Sequence, residues 1–226
     1  MNYPYRAVLM DADDTIFDFA EGNRRAVAQI MDEIGYTHPD RFDQYQEINH
    51  ACWEALERGE MTQAELQVAR FERFLKRYGL ENDPVATADR FVEILGQQVI
   101  LLPHALEVVK FIASRLPIII LTNGITKVQK SRMALSEIRA YISGLVISQE
   151  VGVSKPDPGI FRHALDAHGL QPHEVIMIGD SPTSDILGAN NAGIDACWYN
   201  PKGKTLPEGV HARYTITDLR QILQEA

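Results

Sequence analysis

Four short clusters hold the residue types that could do chemistry. The first, Asp11-Ala12-Asp13-Asp14-Thr15, follows the mostly apolar run Tyr5–Met10. Three carboxylates in four positions raise the cost of ionising one another, and a bound cation would relieve that crowding. A helix cap would account for one of them and leave the others unexplained. The second cluster, Thr122-Asn123-Gly124, ends another apolar run. Asn-Gly is a turn signal, but a hydroxyl beside exposed backbone N–H groups also suits the oxygens of an anion. The third is Lys155, which precedes Pro156 and so lies in extended rather than helical chain. The fourth is Gly179-Asp180 with Asp185 five residues on, again after an apolar run. Each has an ordinary explanation alone. Together they offer carboxylates for a cation, and a hydroxyl, N–H groups and an ammonium for an anion.

These clusters need a scaffold that brings them to one place. Strand-like runs are expected at Tyr5–Met10, Pro117–Leu121, Gly144–Ser148, Glu174–Ile178 and Asp195–Tyr199, with a short last one at Tyr214–Ile216. Helices at His104–Ser114, Lys127–Glu137, Pro158–His168, Thr183–Ala192 and Asp218–Gln224 alternate with them. Such alternation predicts an α/β fold with a doubly wound parallel sheet. Right-handed crossovers point all carboxyl ends one way, so Asp11, Thr122, Ser148 and Asp180 should share one sheet edge, where open α/β sheets bind ligands.

From Phe19 to about Leu95 the texture is helical. Ala26, Ile30 and Ile34 recur on one face, and a second helix is expected over Phe42–Leu56. Thr62-Gln63-Ala64-Glu65 reads as a capping box. It opens a helix with Leu66, Phe71, Leu75 and Tyr78 inward and Glu65, Arg70 and Lys76 outward. A fourth helix follows Pro84. This predicts a helical bundle at 19–95, inserted after the first strand of a catalytic core made of 1–18 and 96–226.

The chain has 226 residues, of which 45% are hydrophobic, enough for a sizeable core. Its 31 acidic against 22 basic residues, net −9, argue against a surface for a nucleic-acid polymer. A small anion is still acceptable, because one lysine and a cation can reverse the local field. No apolar run reaches the roughly 20 residues of a membrane span. Two cysteines far apart, Cys52 and Cys197, lack metal-ligand spacing and fit a reducing, cytoplasmic setting.

With these clusters in order, the sequence resembles the magnesium-dependent phosphatase branch of the haloacid dehalogenase-like superfamily. Within it, Asp14, the stretch Thr62–Glu72 and the stretch Ile147–Pro156 resemble the pyrimidine 5′-nucleotidase members. The resemblance implies a Rossmann-like core with an inserted helical-bundle cap. It implies Asp11 as nucleophile, Asp13 as general acid then base, and Thr122, Asn123, Gly124 and Lys155 around a phosphoryl group. Mg2+, with Mn2+ or Co2+ as possible substitutes, would be held by Asp11, the main-chain carbonyl of Asp13, and Asp180, with Asp185 in support. Many members carry Gly at the position of Asp14, and the departure bears on local flexibility or metal access.

The activity so implied is hydrolysis of a small phosphomonoester, a nucleoside 5′-monophosphate such as UMP or dTMP first. Sugar phosphates, phosphoglycolate or phosphomutase chemistry are the alternatives. A dehalogenase of this fold needs no acid at Asp13. A two-component receiver would place its phosphorylated Asp on a later strand and carry no insertion after strand one, and a binding module need not keep the full acid set. Phe17, Tyr45, Trp53 and Phe71 offer faces on which a base could stack, or they fill the bundle core.

Overall fold

A computed structural model describes residues 5–224. The chain opens with β1 (Ala7–Met10), followed by four helices: α1 (Phe19–Glu33), α2 (Arg41–Glu57), α3 (Gln63–Tyr78) and α4 (Pro84–Gly96). Then come α5 (Ala105–Ala113), β2 (Ile118–Thr122), α6 (Thr126–Leu135), β3 (Gly144–Ile147) and α7 (Ser148–Val151). The remainder is α8 (Pro158–His168), β4 (Val175–Gly179), α9 (Leu187–Asn191), β5 (Asp195–Tyr199), β6 (Tyr214–Ile216) and α10 (Gln221–Gln224). None of the described helices is long and apolar enough to cross a membrane.

The six strands form one sheet in the order β3-β2-β1-β4-β5-β6, and every pair is parallel. Its strands are buried on both faces, which is why they read as continuous apolar runs. Val8, Met10, Ile118, Ile120, Ile176 and Ile178 pack on one side, and Ala7, Leu9, Ile119, Leu121, Val175 and Met177 on the other. Met10 pairs with both Ile120 and Ile178, so β1, β2 and β4 finish nearly level. Asp11, Thr122 and Asp180 therefore emerge along one edge.

The described parts of Met1–Phe19 and Val99–Ala226 form one compact unit, and Ala20–Gln98 forms a second. The two chain segments that lead to the second unit are paired within the first. Phe17 and Leu101 form an antiparallel bridge; Asp18 N–H donates to Ile100 O at 2.9 Å, and Leu102 N–H to Ile16 O at 2.8 Å.

In the second unit, α3 begins with the expected capping box. Thr62 Oγ1 accepts from Glu65 N–H while the Glu65 carboxylate accepts from Thr62 N–H. Gly79, at φ 65°, ends the same helix in the left-handed region that glycine adopts without strain. The interior is aromatic: Tyr45, Phe71, Phe74 and Phe91 are fully buried, with ring centroids 5.3–6.4 Å apart. This corrects the stacking role considered for Tyr45 and Phe71. Phe17 is likewise core, in the first unit. Of the four aromatics, Trp53 alone is exposed, at 41%.

Arg70 is a second correction. It was expected to point outward, but it is buried, stacked over Phe71 and Phe91 at 5.4 and 4.8 Å and bonded to Asn49 at 3.3 Å. Its place on α3 beside Phe71 makes the neighbouring rings its surroundings. Its Nε and Nη2 have no hydrogen-bond partner among the described residues. A buried charge with unmet donors is often replaced by an apolar side chain without loss. Arg70→Met is thus expected to hold or raise Tm by about 2–4 °C in a thermal melt. A drop equivalent to about 3 kcal/mol or more would mean that the ring and Asn49 contacts outweigh the desolvation.

Candidate active site

Lys155 is the centre of the cluster. Its side chain is 2% exposed, and its Nζ donates to Asp11 Oδ1 at 2.5 Å, Asp185 Oδ1 at 2.6 Å and Leu121 O at 2.8 Å. An ammonium has three donors, and all three are used. Burial works to neutralise it, but the facing charges of Asp11 and Asp185 outweigh burial and hold it above the ordinary lysine value. The loop that carries it is tied to the end of β2 by a reciprocal pair. Asn123 Nδ2 donates to Lys155 O, and Lys155 N–H to Asn123 Oδ1, both at 2.9 Å. Asn123 therefore uses its side chain to place Lys155. Gly124 N–H donates to Thr122 Oγ1 at 3.0 Å.

Asp11 leaves β1 with its N–H donated to Ile178 O at 2.9 Å. Burial pushes its carboxyl well above the ordinary range; Lys155 opposes this, and Asp185 and Asp13 add to it. Asp180 follows β4, and no hydrogen-bond donor among the described residues reaches its carboxylate. It is pushed up to about 7, mainly by burial and then by repulsion from Asp185 and Asp14. Asp185 lies in a single wide turn, Pro182–Ile186, with π-type bonding that continues into α9. The expected helix Thr183–Ala192 is thus not α-helical at its start. Such turns recur at functional sites, and here the turn sends Asp185 under the sheet edge. Ser181 N–H donates to its Oδ2 at 3.0 Å. A Cβ on Gly179 would sit 2.3 Å from that oxygen, so the close approach needs glycine.

Asp11, Asp180 and Asp185 each offer an oxygen within 4.8 Å of the others. Three carboxylates against one ammonium, −3 + 1, leave −2 when all are ionised. That equals the charge a divalent hard cation would cancel, and oxygen donors are what Mg2+ prefers. The donor set fits such an ion.

Asp13 is placed differently. Its Oδ1 accepts from Arg132 Nη2 at 2.6 Å and its Oδ2 from Gln129 Nε2 at 2.7 Å. Asp13 thus faces a guanidinium and an amide, while Asp11 faces the ammonium of Lys155. Neither Gln129 nor Arg132 was singled out from sequence. The available signal was their spacing of three on the helix that follows Thr122–Gly124. Asp14 has φ 57°, the left-handed region where glycine is easiest and Asp is tolerated. Its Oδ1 accepts from Phe19 N–H at 3.1 Å, at the start of α1. The backbone at this position favours glycine, and the acid that stands there serves the helix start.

Strand ends that gather carboxylates around a buried lysine define an α/β enzyme with an acidic cluster on the carboxyl edge of its sheet. Residues 5–193 match the family described as haloacid dehalogenase-like hydrolase. The chain is 34% identical over 218 residues to pyrimidine 5′-nucleotidase YjjG of Escherichia coli K12, covering 96% of each chain. It is 33% identical to pyrimidine 5′-nucleotidase PynA of Streptococcus pneumoniae, covering 98% of this chain and 96% of that one. Among solved structures, HAD-hydrolase YfnB of Bacillus subtilis, bound to magnesium, superposes with TM-score 0.88 at 29% identity over 98% of both chains. The chain belongs to the haloacid dehalogenase-like hydrolases.

Proposed function

We propose that this protein is a magnesium-dependent phosphomonoesterase that works through an aspartyl-phosphate, with pyrimidine nucleoside 5′-monophosphates such as UMP or dTMP as substrates. The observation that carries the chemistry is the ammonium of Lys155 held between Asp11 and Asp185 at the sheet edge. The substrate class rests on the two nucleotidases similar along nearly the whole chain.

In this reading the Asp11 carboxylate attacks phosphorus and the bond to the leaving oxygen breaks. Asp13 gives that oxygen a proton and later takes one from the water that cleaves the acyl phosphate, which frees phosphate and restores Asp11. Lys155 lowers the cost of ionising the buried Asp11. With the Thr122 hydroxyl it also balances charge on the transferring group. Asp11, Asp180 and the main chain of Asp13, with Asp185 in support, would hold Mg2+, which would supply neutralisation of phosphoryl charge; Mn2+ and Co2+ are the candidate substitutes. The unit Ala20–Gln98 is the proposed cap, and the unit holding the sheet the proposed catalytic core.

The test is a panel of phosphorylated metabolites with and without magnesium ion. UMP and dTMP should give the highest kcat/KM, and chelation should remove activity. A sugar phosphate or phosphoglycolate exceeding every nucleotide would refute the substrate class, and phosphoryl transfer to a sugar hydroxyl instead of water would favour the mutase alternative.

The raised Asp180 also predicts a pH dependence. In the folded protein it keeps its proton up to about 7, against the ordinary 3.8. Its contribution to metal-free stability is therefore fully present below the unfolded value and is lost as pH rises through about 7. A cation needs the deprotonated form. Magnesium should raise Tm more at about pH 8 than at about pH 6, read by calorimetry. An equal shift at both would contradict the assignment.

A further inference from the structure

Both oxygens of the Asp13 carboxylate are gripped by one helix. Arg132 and Gln129 lie three apart on α6 and so share a face, and one meets each oxygen at 2.6 and 2.7 Å. Both donors are almost fully buried, at 2% and 1%, although Asp13 itself is partly exposed. The guanidinium packs over the rings of Phe17 and Phe19 at 5.1 and 5.9 Å, so core packing sets its position. The arrangement is costly. Arg132 Nε and Gln129 Oε1 are buried without partners among the described residues, and a buried polar atom without a partner destabilises the fold. Gln129 also crosses Gly124 so closely that a Cβ there would lie 2.0 Å from its Nε2. Glycine at 124 is what lets the amide reach Asp13. A helix able to show both side chains to water has no stability reason to bury them this way.

We propose that Arg132 and Gln129 are positioning residues that fix the rotamer of Asp13 and act on the reaction only through that carboxylate. The inference rests on the reading of Asp13 as the proton-transferring group. A free aspartate samples several rotamers, and two tethers leave one. Misplacing a reacting group by about 1 Å costs about 10²-fold, within the roughly 10²–10⁴-fold a positioned acid or base contributes.

The test follows leaving-group release in a single turnover of the full chain with magnesium ion. One substrate is UMP; the other is p-nitrophenyl phosphate, whose phenolate departs without needing a proton. Arg132→Met and Gln129→Leu should each slow release from UMP by about 10–100-fold, with the half-saturating concentration moved less than about threefold. Release from p-nitrophenyl phosphate should fall much less. Arg132→Lys keeps the charge without the planar fork and should lie between wild type and Arg132→Met. In an Asp13→Asn background the same substitutions should add nothing. Thermal melts report folding, and Gln129→Leu carries the comparison if Arg132→Met does not fold. Equal losses on both leaving groups, or losses that multiply with that of Asp13→Asn, overturn the inference. If Asp13→Asn alone leaves UMP release unchanged, the acid–base reading itself fails and the positioning role falls with it.

Discussion

Asp11→Asn is expected to lower turnover by about 10⁴–10⁶-fold, the scale on which a nucleophile's removal is felt, while the chain still folds. The amide has the shape of the carboxylate but cannot form the acyl phosphate. Two opposing effects act on stability. Burial already penalises the Asp11 carboxylate, so a neutral isostere avoids that cost. Lys155 loses an anionic partner, yet it retains Asp185 at 2.6 Å and Leu121 O at 2.8 Å. The net change should stay within about 1–2 kcal/mol. Phosphate release and trapping of the phosphorylated aspartate check the chemistry, and a thermal melt checks the fold. Turnover at the wild-type rate would end the covalent route.

Lys155→Met should be worse for the protein and nearly as severe for the reaction. It takes the only ammonium out of the centre described here and leaves Asp11 and Asp185 facing each other in the interior. Removing one partner of a buried ion pair costs about 3–5 kcal/mol, because the remaining charge is uncompensated. The loss should shrink as pH falls, since one of two facing carboxyls then takes up a proton. In the proposed role of Lys155 as a charge-balancing donor at the transferring group, its loss should lower turnover by about 10³-fold. Denaturant melts across a pH series, beside phosphate release, check both parts. A variant as stable as wild type at about pH 8 would show that Lys155 does not hold the carboxylates together.

The strand ends were legible in the sequence for a physical reason. Strands buried on both faces must be apolar throughout, so the polar residues that stop them stand out, and right-handed crossovers bring those stops to one edge. Asp11, Thr122 and Asp180 follow from that logic. Gln129, Arg132 and Arg70 do not, because a polar residue on a helix reads as a solvated one by default. Only tertiary neighbours, the Asp13 carboxylate for the first two and the Phe71 and Phe91 rings for the third, draw them inward. Asp185 is intermediate. It was noticed by its distance from Asp180, but the wide turn that aims it at Lys155 has no pattern of its own. Gly124 was read for its turn and its N–H and Gly179 as the residue before Asp180; that each also gives clearance to a side chain arriving from a later element has no sequence pattern.

The paired segments at Phe17 and Leu101 carry a consequence for how the sheet tolerates change. Because departure and return are hydrogen-bonded side by side, the excursion between them is already closed at its base. Lengthening such a loop adds entropy only as the logarithm of its length. A shorter or wholly different stretch grafted at that gateway should therefore leave the register of the strands unchanged.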